Sequence, residues 1–160
     1  MPQSMRDYRS LLAAAAPPAA SEPRDVAMQR VVDLLWEALH EQDVSWIGFY
    51  LDQPDQADDR RLVLGPCRDR PACSPIGLHG VCGASLRSRQ TQVVHDVADL
   101  GPDYIACDPR DASEIVIPLS DSADVCWGVL DVDSWKTGAF SEADDVGLRS
   151  VLAAARLLPG

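Results

Sequence analysis

The sequence has few basic residues and no long apolar run. Its 160 residues include 14 lysines and arginines against 25 aspartates and glutamates, which gives a net charge of −11 at pH 7. Because nucleic acid and anionic membranes would repel such a chain, neither is expected as a partner. No apolar segment approaches the roughly 20 residues of a membrane-spanning helix. The stretch Ala13–Ala16 is too short and weakly apolar for a signal peptide, so a cytoplasmic location is expected.

The sequence also lacks the spacing of a zinc site. It contains no Cys-x-x-Cys pair, and its three histidines stand far apart at His40, His79 and His95. No bound metal is therefore expected, and a site combining a cysteine with His79 is the one arrangement left open. The five cysteines of a cytoplasmic protein are normally reduced, and 160 residues provide enough core to fold without a disulfide scaffold.

The order of the predicted elements indicates an α+β fold. Residues 1–20 are expected to form a short helix, with a capping-box-like start at Ser4, and then an Ala/Pro loop. Residues 21–160 are expected to form a single domain. This domain begins with a helix that ends near His40, and it finishes with a helix opened by Ser141.

Between these helices, about five or six short strands with short connections predict an antiparallel sheet. Residues 65–80 contain too many prolines and glycines for a regular element, so they are expected to form a loop that holds Cys67 and Cys73. Residues 83–89 follow as a short helix. The predicted strands cover residues 44–51, 61–64, 92–97, 115–119 and 125–133.

Three cysteines lie in surroundings that suit reactive thiols, which need an exposed loop or a helix start. Cys107 precedes the turn at Asp108-Pro109 and is the candidate nucleophile. Cys73 and Cys82 are candidate resolving thiols, and the dipole of the helix that begins near Cys82 would favour a thiolate there. For Cys107 alone, a small apolar residue at a loop–strand junction is an equally good interpretation. The acidic residues of its loop would raise its pKa if they faced it.

A group of acids and a pair of aromatic residues indicate a pocket for a small polar molecule. Asp131 and Asp133 share one face of a predicted strand, and Glu114 begins another. Crowded carboxylates raise one another's pKa, so one could stay protonated and bind a basic oxygen, while an ammonium group would suit the ionised acids. A solvated strand face is the alternative. Trp46 and Tyr50 lie on one strand face, either as core residues or as a wall of the pocket.

Several short segments match one known family. They are Trp46–Leu51, Leu62–Pro66, Pro71–Cys73, Gly80–Gly83, Asp96-Val97, Ile105–Asp108, Ser113–Leu119 and Gly128–Ser134. From about residue 26 to the terminal helix, the chain resembles the free methionine-(R)-sulfoxide reductases, a family with the GAF fold. The resemblance implies a six-stranded antiparallel sheet, with the N- and C-terminal helices on one face and a closed ligand pocket on the other.

The resemblance also implies an oxidoreductase that works without a bound cofactor. Cys107 would attack free methionine-(R)-sulfoxide and become a sulfenic acid, and methionine would leave. Cys73 would then form a disulfide with Cys107, with Cys82 as a further relay, and thioredoxin would reduce this disulfide. The family is often dimeric, so a homodimer is expected.

The acids and aromatic residues receive roles from the same resemblance. Glu114, Asp131 and Asp133 would hold the sulfoxide oxygen and help to protonate it. Trp46 and Tyr50 would pack against the methyl end of the substrate.

The chain departs from the family at Cys67, where Phe is usual, at Tyr104, where His is usual, and in the loop 76–80. Cys67 thereby becomes a fourth redox candidate. Two other classes remain as alternatives: a non-catalytic GAF sensor for a small ligand, and a dimerisation module. The dimerisation module would explain the helices but not the thiols and acids.

Overall fold

The computed structural model describes residues 5–102, 104 and 106–160. These residues form four helices and five strands, together with short 3₁₀ turns. The helices are α1 (Leu12–Ala15), α2 (Arg24–Leu39), α3 (Val81–Ser88) and α4 (Glu142–Ala154). The strands are β1 (Trp46–Asp52), β2 (Leu62–Arg68), β3 (Gln92–Val94), β4 (Ser113–Ser120) and β5 (Cys126–Ser134). None of the helices in the described part of the chain is long and apolar enough to cross a membrane.

The strands form one antiparallel sheet in the order β2-β1-β5-β4-β3. The α+β class expected from the sequence is therefore correct, but the described residues supply five strands where the resemblance implies six. Beside β2, Ile76 pairs with Leu62 only as an isolated bridge. Pro75 directly precedes Ile76, and proline cannot donate to a strand ladder, so the pairing does not extend on that side.

The two faces of the sheet carry different layers. Helices α1, α2 and α4 cover one face, where Ile47, Phe49, Leu130 and Val132 point into the main core. Helix α3 lies on the other face, and its Leu86 joins a second apolar cluster with side chains of β1, β2, β4 and β5. Because successive side chains of a strand alternate in direction, β1 and β5 contribute to both layers.

Strand β2 is longer than the sequence predicts. Residues 65–68, expected to belong to a loop, continue the strand, so Cys67 lies in β2 and pairs with Gly48. A register shift opposite Phe49 accommodates Gly65 and Pro66 as a bulge. This is possible because β2 is an edge strand, where a proline does not interrupt pairing on a second side.

The chain start also differs from the prediction. Ser4 lies outside the described residues, and residues 5–8 are not helical; a 3₁₀ turn begins at Arg9 and leads into α1. Arg6 and Tyr8 instead reach across to Asp144 in the first turn of α4, through hydrogen bonds of 2.8 and 2.6 Å to its Oδ1. The terminal helix follows Ser141, as predicted.

Candidate active site

Strand register brings the acids and the aromatic residues together. Trp46 of β1 pairs with Asp133 of β5, and Asp133 pairs on its other side with Glu114 of β4. Asp131 lies two residues before Asp133, and Tyr50 lies four residues after Trp46, so both point to the same face as these partners. All five side chains therefore lie on the face of the sheet opposite α1, α2 and α4.

Glu114, Asp131 and Asp133 form a buried carboxylate cluster. One oxygen of each lies within 4.8 Å of the other two, and each residue is less than a tenth exposed. Burial raises the pKa values of all three carboxyl groups well above their ordinary range, and repulsion between the neighbouring negative charges raises these pKa values further. The cluster therefore keeps its protons to a higher pH than ordinary carboxyl groups do. The Oδ1 atoms of Asp131 and Asp133 have no hydrogen-bond partner among the described residues and are available to bind a ligand.

The carboxylate cluster could also hold a cation, but only after losing the protons that burial favours. His79 is exposed, and among the described residues it belongs to no group of three or more possible metal ligands.

Two aromatic residues of β1 support the loop that carries Cys73. The indole of Trp46 lies over Gly48, where an added Cβ would come within 2.2 Å of the ring. Its Nε1 donates a 2.8 Å hydrogen bond to the carbonyl oxygen of Arg70. The hydroxyl of Tyr50 donates a bond of the same length to the carbonyl oxygen of Cys73. Both side chains therefore hold residues 70–73 above the pocket through these hydrogen bonds. Their rings also line the pocket.

Cys73 and Cys107 form a disulfide, with their Cα atoms 5.6 Å apart. The two loops that carry them are distant in sequence, and both cysteines are exposed. Cys107 also lines the pocket, so the disulfide lies where the pocket meets solvent. Cys67 and Cys126 are free thiols in strands β2 and β5.

Cys82 occupies a different environment from the disulfide pair. It is buried at the second position of α3, and its Sγ lies 3.7 Å from Oδ2 of Asp131. Burial raises the pKa of this thiol well above its usual value, and the nearby carboxylates raise it further. The sequence suggested that the helix dipole would favour a thiolate at this position. Desolvation and the acids outweigh the dipole, so Cys82 stays protonated.

These elements enclose a pocket of about 40 Å³ in the disulfide form, which is room for a few water molecules. Every site residue selected from the sequence lines it except Cys73, which lies in the loop above. The lining residues are Trp46, Tyr50, Ala72, Ile76, Val81, Cys82, Tyr104, Cys107, Asp111, Glu114, Asp131 and Asp133.

Sequence reasoning missed Asp111 as a pocket residue and noted Tyr104 only as a departure from the family. Burial, with a contribution from Asp108, raises the pKa of Asp111 to about 6. Burial also raises the pKa of Tyr104. The two residues belong to an irregular loop, where no periodicity predicts which side chains face the pocket. The one indication in the sequence was that they share this loop with Cys107. Asp103 and Ile105 of this loop lie outside the described residues.

The sheet with helices on one face and a pocket on the other is the arrangement of a GAF domain. A profile of the GAF domain family matches residues 21–156, and the chain is therefore a GAF-domain protein.

Individual relatives define the family more closely. The free methionine-R-sulfoxide reductase of Escherichia coli is 42% identical over 122 residues, which cover 75% of this chain and 68% of that protein. The structure of fRMsr of Staphylococcus aureus in complex with substrate is similar with a TM-score of 0.82 and 32% identity, over 98% of this chain and 97% of that one. The free methionine-R-sulfoxide reductase from Neisseria meningitidis, also with its substrate, gives a TM-score of 0.76 and 34% identity, over 93% and 90%. The chain belongs to the free methionine-(R)-sulfoxide reductase family.

Proposed function

We propose that this protein reduces free methionine-(R)-sulfoxide to methionine, with Cys107 as the nucleophile. One observation carries the proposal: an exposed cysteine, able to form a disulfide, lines a pocket whose buried carboxylates retain protons. A sulfoxide needs both groups, since its sulfur accepts a thiolate and its oxygen accepts a proton. The names of the relatives support the same reaction.

In the first step, the Cys107 thiolate attacks the sulfoxide sulfur while the carboxylate cluster donates a proton to the oxygen. The sulfur–oxygen bond of the substrate breaks, and the oxygen ends on Cys107 as a sulfenic acid. Methionine leaves, reduced by two electrons, and Cys107 is oxidised by two. Asp133 would donate this proton: like Asp131 it has an oxygen without a partner among the described residues, and it pairs across the sheet with Trp46.

In the second step, the thiol of Cys73 attacks the sulfur of the sulfenic acid. A disulfide forms and water leaves, carrying the oxygen that came from the substrate. An external dithiol, thioredoxin, then reduces the disulfide by exchange and leaves as its own disulfide. No bound cofactor is needed, and a reducing compartment such as the cytoplasm suits the cycle. We also propose that the protein is a homodimer, and this part of the proposal rests only on the resemblance to the family.

The pocket accounts for substrate choice in the proposal. The ring of Trp46 would pack against the S-methyl group, and the carboxylate cluster would bind the sulfoxide oxygen. The two sulfoxide epimers differ in where this oxygen points, so the S epimer would direct it away from the acids. Losing a hydrogen bond to a buried polar site costs roughly 1–3 kcal/mol, which corresponds to about a tenfold to hundredfold preference.

Oxidation of NADPH coupled through thioredoxin reductase and thioredoxin tests the function. We expect rapid turnover of free methionine-(R)-sulfoxide, much slower reduction of the same group inside a peptide, and almost none of the S epimer. Cys126→Ser is a matched control, since it removes a free thiol of β5 that does not line the pocket. Equal rates on free and peptide-bound substrate would contradict the closed pocket. Binding of methionine sulfoxide without turnover would favour the sensor.

A further inference from the structure

We propose that Arg70 and Asp108 are positioning residues that keep the Cys73 and Cys107 thiols together when the disulfide between them is open. The proposal rests on the redox cycle described above and identifies what holds its two cysteines in place. The Arg70–Asp108 ion pair and the disulfide join the same two loops, side by side. Arg70 precedes Cys73 by three residues, and Asp108 follows Cys107 directly.

The ion pair is short and partly shielded from solvent. Nη2 of Arg70 lies 2.7 Å from Oδ2 of Asp108, and the Asp108 side chain is 16% exposed. Hydrogen bonds from Arg110 and Arg70 hold the pKa of Asp108 well below its usual range. The carboxylate therefore stays ionised at any pH at which the protein would work.

Asp108 is anchored to its own loop and to the end of β5. Its Oδ1 accepts hydrogen bonds from the backbone nitrogen and Nε of Arg110, both at 3.0 Å. Its Oδ2 accepts one from Nε1 of Trp135 at 3.2 Å. The Arg110 guanidinium lies over the Trp135 ring, 4.0 Å from its centre. Trp135 directly follows β5, so the loop of Cys107 is fastened to the sheet through this side chain.

Arg70 is anchored on the other side of the pocket. Its carbonyl oxygen accepts the bond from Trp46 described above. Its Nη1 donates to Oδ1 of Asp69 at 3.0 Å and to the carbonyl oxygen of Ser45 at 3.4 Å. Arg70 is thus bonded to Trp46 in β1 and to Ser45 just before it, and Asp108 to Trp135 just after β5, which lets the ion pair hold the two loops at a fixed distance.

Breaking the disulfide removes one of two neighbouring links, and the ion pair remains. Two thiols held close have a high effective concentration for each other, which favours disulfide formation both at equilibrium and in rate. The clamp formed by Arg70 and Asp108 therefore speeds the capture of the Cys107 sulfenic acid by Cys73. It also makes the disulfide a weaker oxidant.

Equilibration with reduced and oxidised glutathione tests the clamp on the full chain. The exchange converts the protein disulfide and two glutathione molecules into the protein dithiol and glutathione disulfide. We expect Arg70→Gln and Asp108→Asn each to lower the equilibrium constant for forming the disulfide about tenfold, a rise of about 30 mV in its potential. The double variant should lower this equilibrium constant no further than either single variant, because both substitutions remove the same ion pair.

Two features of this design separate a clamp from other effects. An effect of charge alone on the Cys107 thiol would move the two variants in opposite directions, since one loses a positive and the other a negative charge. Arg61→Gln is a matched control that breaks a 2.6 Å ion pair with Asp52 elsewhere in the fold. Potentials unchanged in both variants, shifts of opposite sign, or an equal shift in Arg61→Gln would each overturn the proposal.

A single turnover without reductant gives a kinetic test. In Arg70→Gln we expect the first methionine to form within about twofold of the normal rate, with closure of the disulfide about tenfold slower. A reagent selective for sulfenic acids should then label Cys107 in the variant. Normal closure would contradict the clamp. The glutathione measurement needs no methionine sulfoxide, so a failed clamp stays distinguishable from a failed function, which would show as absent turnover in the unaltered protein.

Discussion

Sγ of Cys82 lies 3.7 Å from Oδ2 of Asp131, and both side chains are buried in the floor of the pocket. A thiol with a raised pKa in this position acts as a neutral hydrogen-bond donor and is a poor nucleophile for relaying a disulfide. This geometry favours Cys73, which already forms a disulfide with Cys107, as the resolving residue.

Two substitutions distinguish a role of Cys82 as a hydrogen-bond donor to Asp131 from a role as a redox relay. Cys82→Ser keeps a donor and should retain at least about half of kcat/KM, whereas Cys82→Ala should lose roughly fivefold to tenfold as Asp131 loses a hydrogen bond. Steady-state kinetics with thioredoxin provides the measurement. Both variants should still form the Cys73–Cys107 disulfide in peptide maps. A Cys82→Ser protein that turns over once and then stops would establish the relay.

Substitutions of the disulfide pair should stop the cycle at different points. Cys107→Ser should abolish methionine formation without altering the thermal midpoint measured under reducing conditions, where the unaltered protein also lacks the disulfide, because the swap is nearly isosteric and the residue is exposed. Cys73→Ser should form about one methionine per protein and then accumulate the sulfenic acid. Rapid-quench analysis with intact-mass detection distinguishes these outcomes. Activity retained by Cys107→Ser would transfer the nucleophile to another cysteine.

Asp133→Asn tests the carboxylate cluster as the proton donor. The amide keeps the shape but cannot give up a proton in the same way, so kcat should fall at least about tenfold while KM changes less than threefold. In the unaltered protein, kcat should fall as pH rises through the raised pKa of the cluster, since the protonated form is the donor. The variant should lose this decrease. A fall in binding with unchanged kcat would assign Asp133 to affinity alone.

The same shift in pKa makes a prediction for stability. The unfolded chain loses the protons of these carboxyl groups near pH 4, whereas the folded protein keeps them to a higher pH. Their contribution is therefore fully present below about pH 4 and is lost as pH rises through the folded pKa values. Urea unfolding between pH 5 and 9 should show a decreasing free energy of unfolding, with a shallower decrease in Asp133→Asn.

Asp144 should be important for stability and remote from catalysis. It accepts hydrogen bonds from Arg6, Tyr8 and the backbone nitrogen of Ser141, and the Arg6 side chain is only 6% exposed. Asp144→Ala should lower the free energy of unfolding by about 3–5 kcal/mol, because it leaves a buried guanidinium unpaired. Glu142→Ala, at an exposed position of the same helical turn, should cost less than about 1 kcal/mol. Equal losses in urea unfolding would contradict this account.

Regular alternation allowed part of the site to be predicted. The spacing of Asp131 and Asp133 places both on one face, and the same argument applies to Trp46 and Tyr50. A shift of one residue in β5 would exchange its acids with Leu130 and Val132, which are buried under the helices. The core therefore fixes the register that assembles the pocket.

The features that escaped prediction depend on contacts between distant segments. The length of β2 depends on its place at the edge of the sheet, which local proline and glycine content does not reveal. The pairing of Arg70 with Asp108 joins two irregular loops, where no periodicity marks a partner. The protonated state of Cys82 follows from burial against acids of other strands, whereas its helix position alone suggested the opposite.

The disulfide between Cys73 and Cys107 sets the order of the steps in the proposed cycle. While the sulfur of Cys107 is bonded to Cys73, it cannot attack a sulfoxide, so under the proposed function methionine sulfoxide reacts only after the reductant has opened the disulfide. Methionine sulfoxide and thioredoxin would then react with alternating forms of one protein. Such a scheme is ping-pong: double-reciprocal plots at several thioredoxin concentrations should be parallel lines.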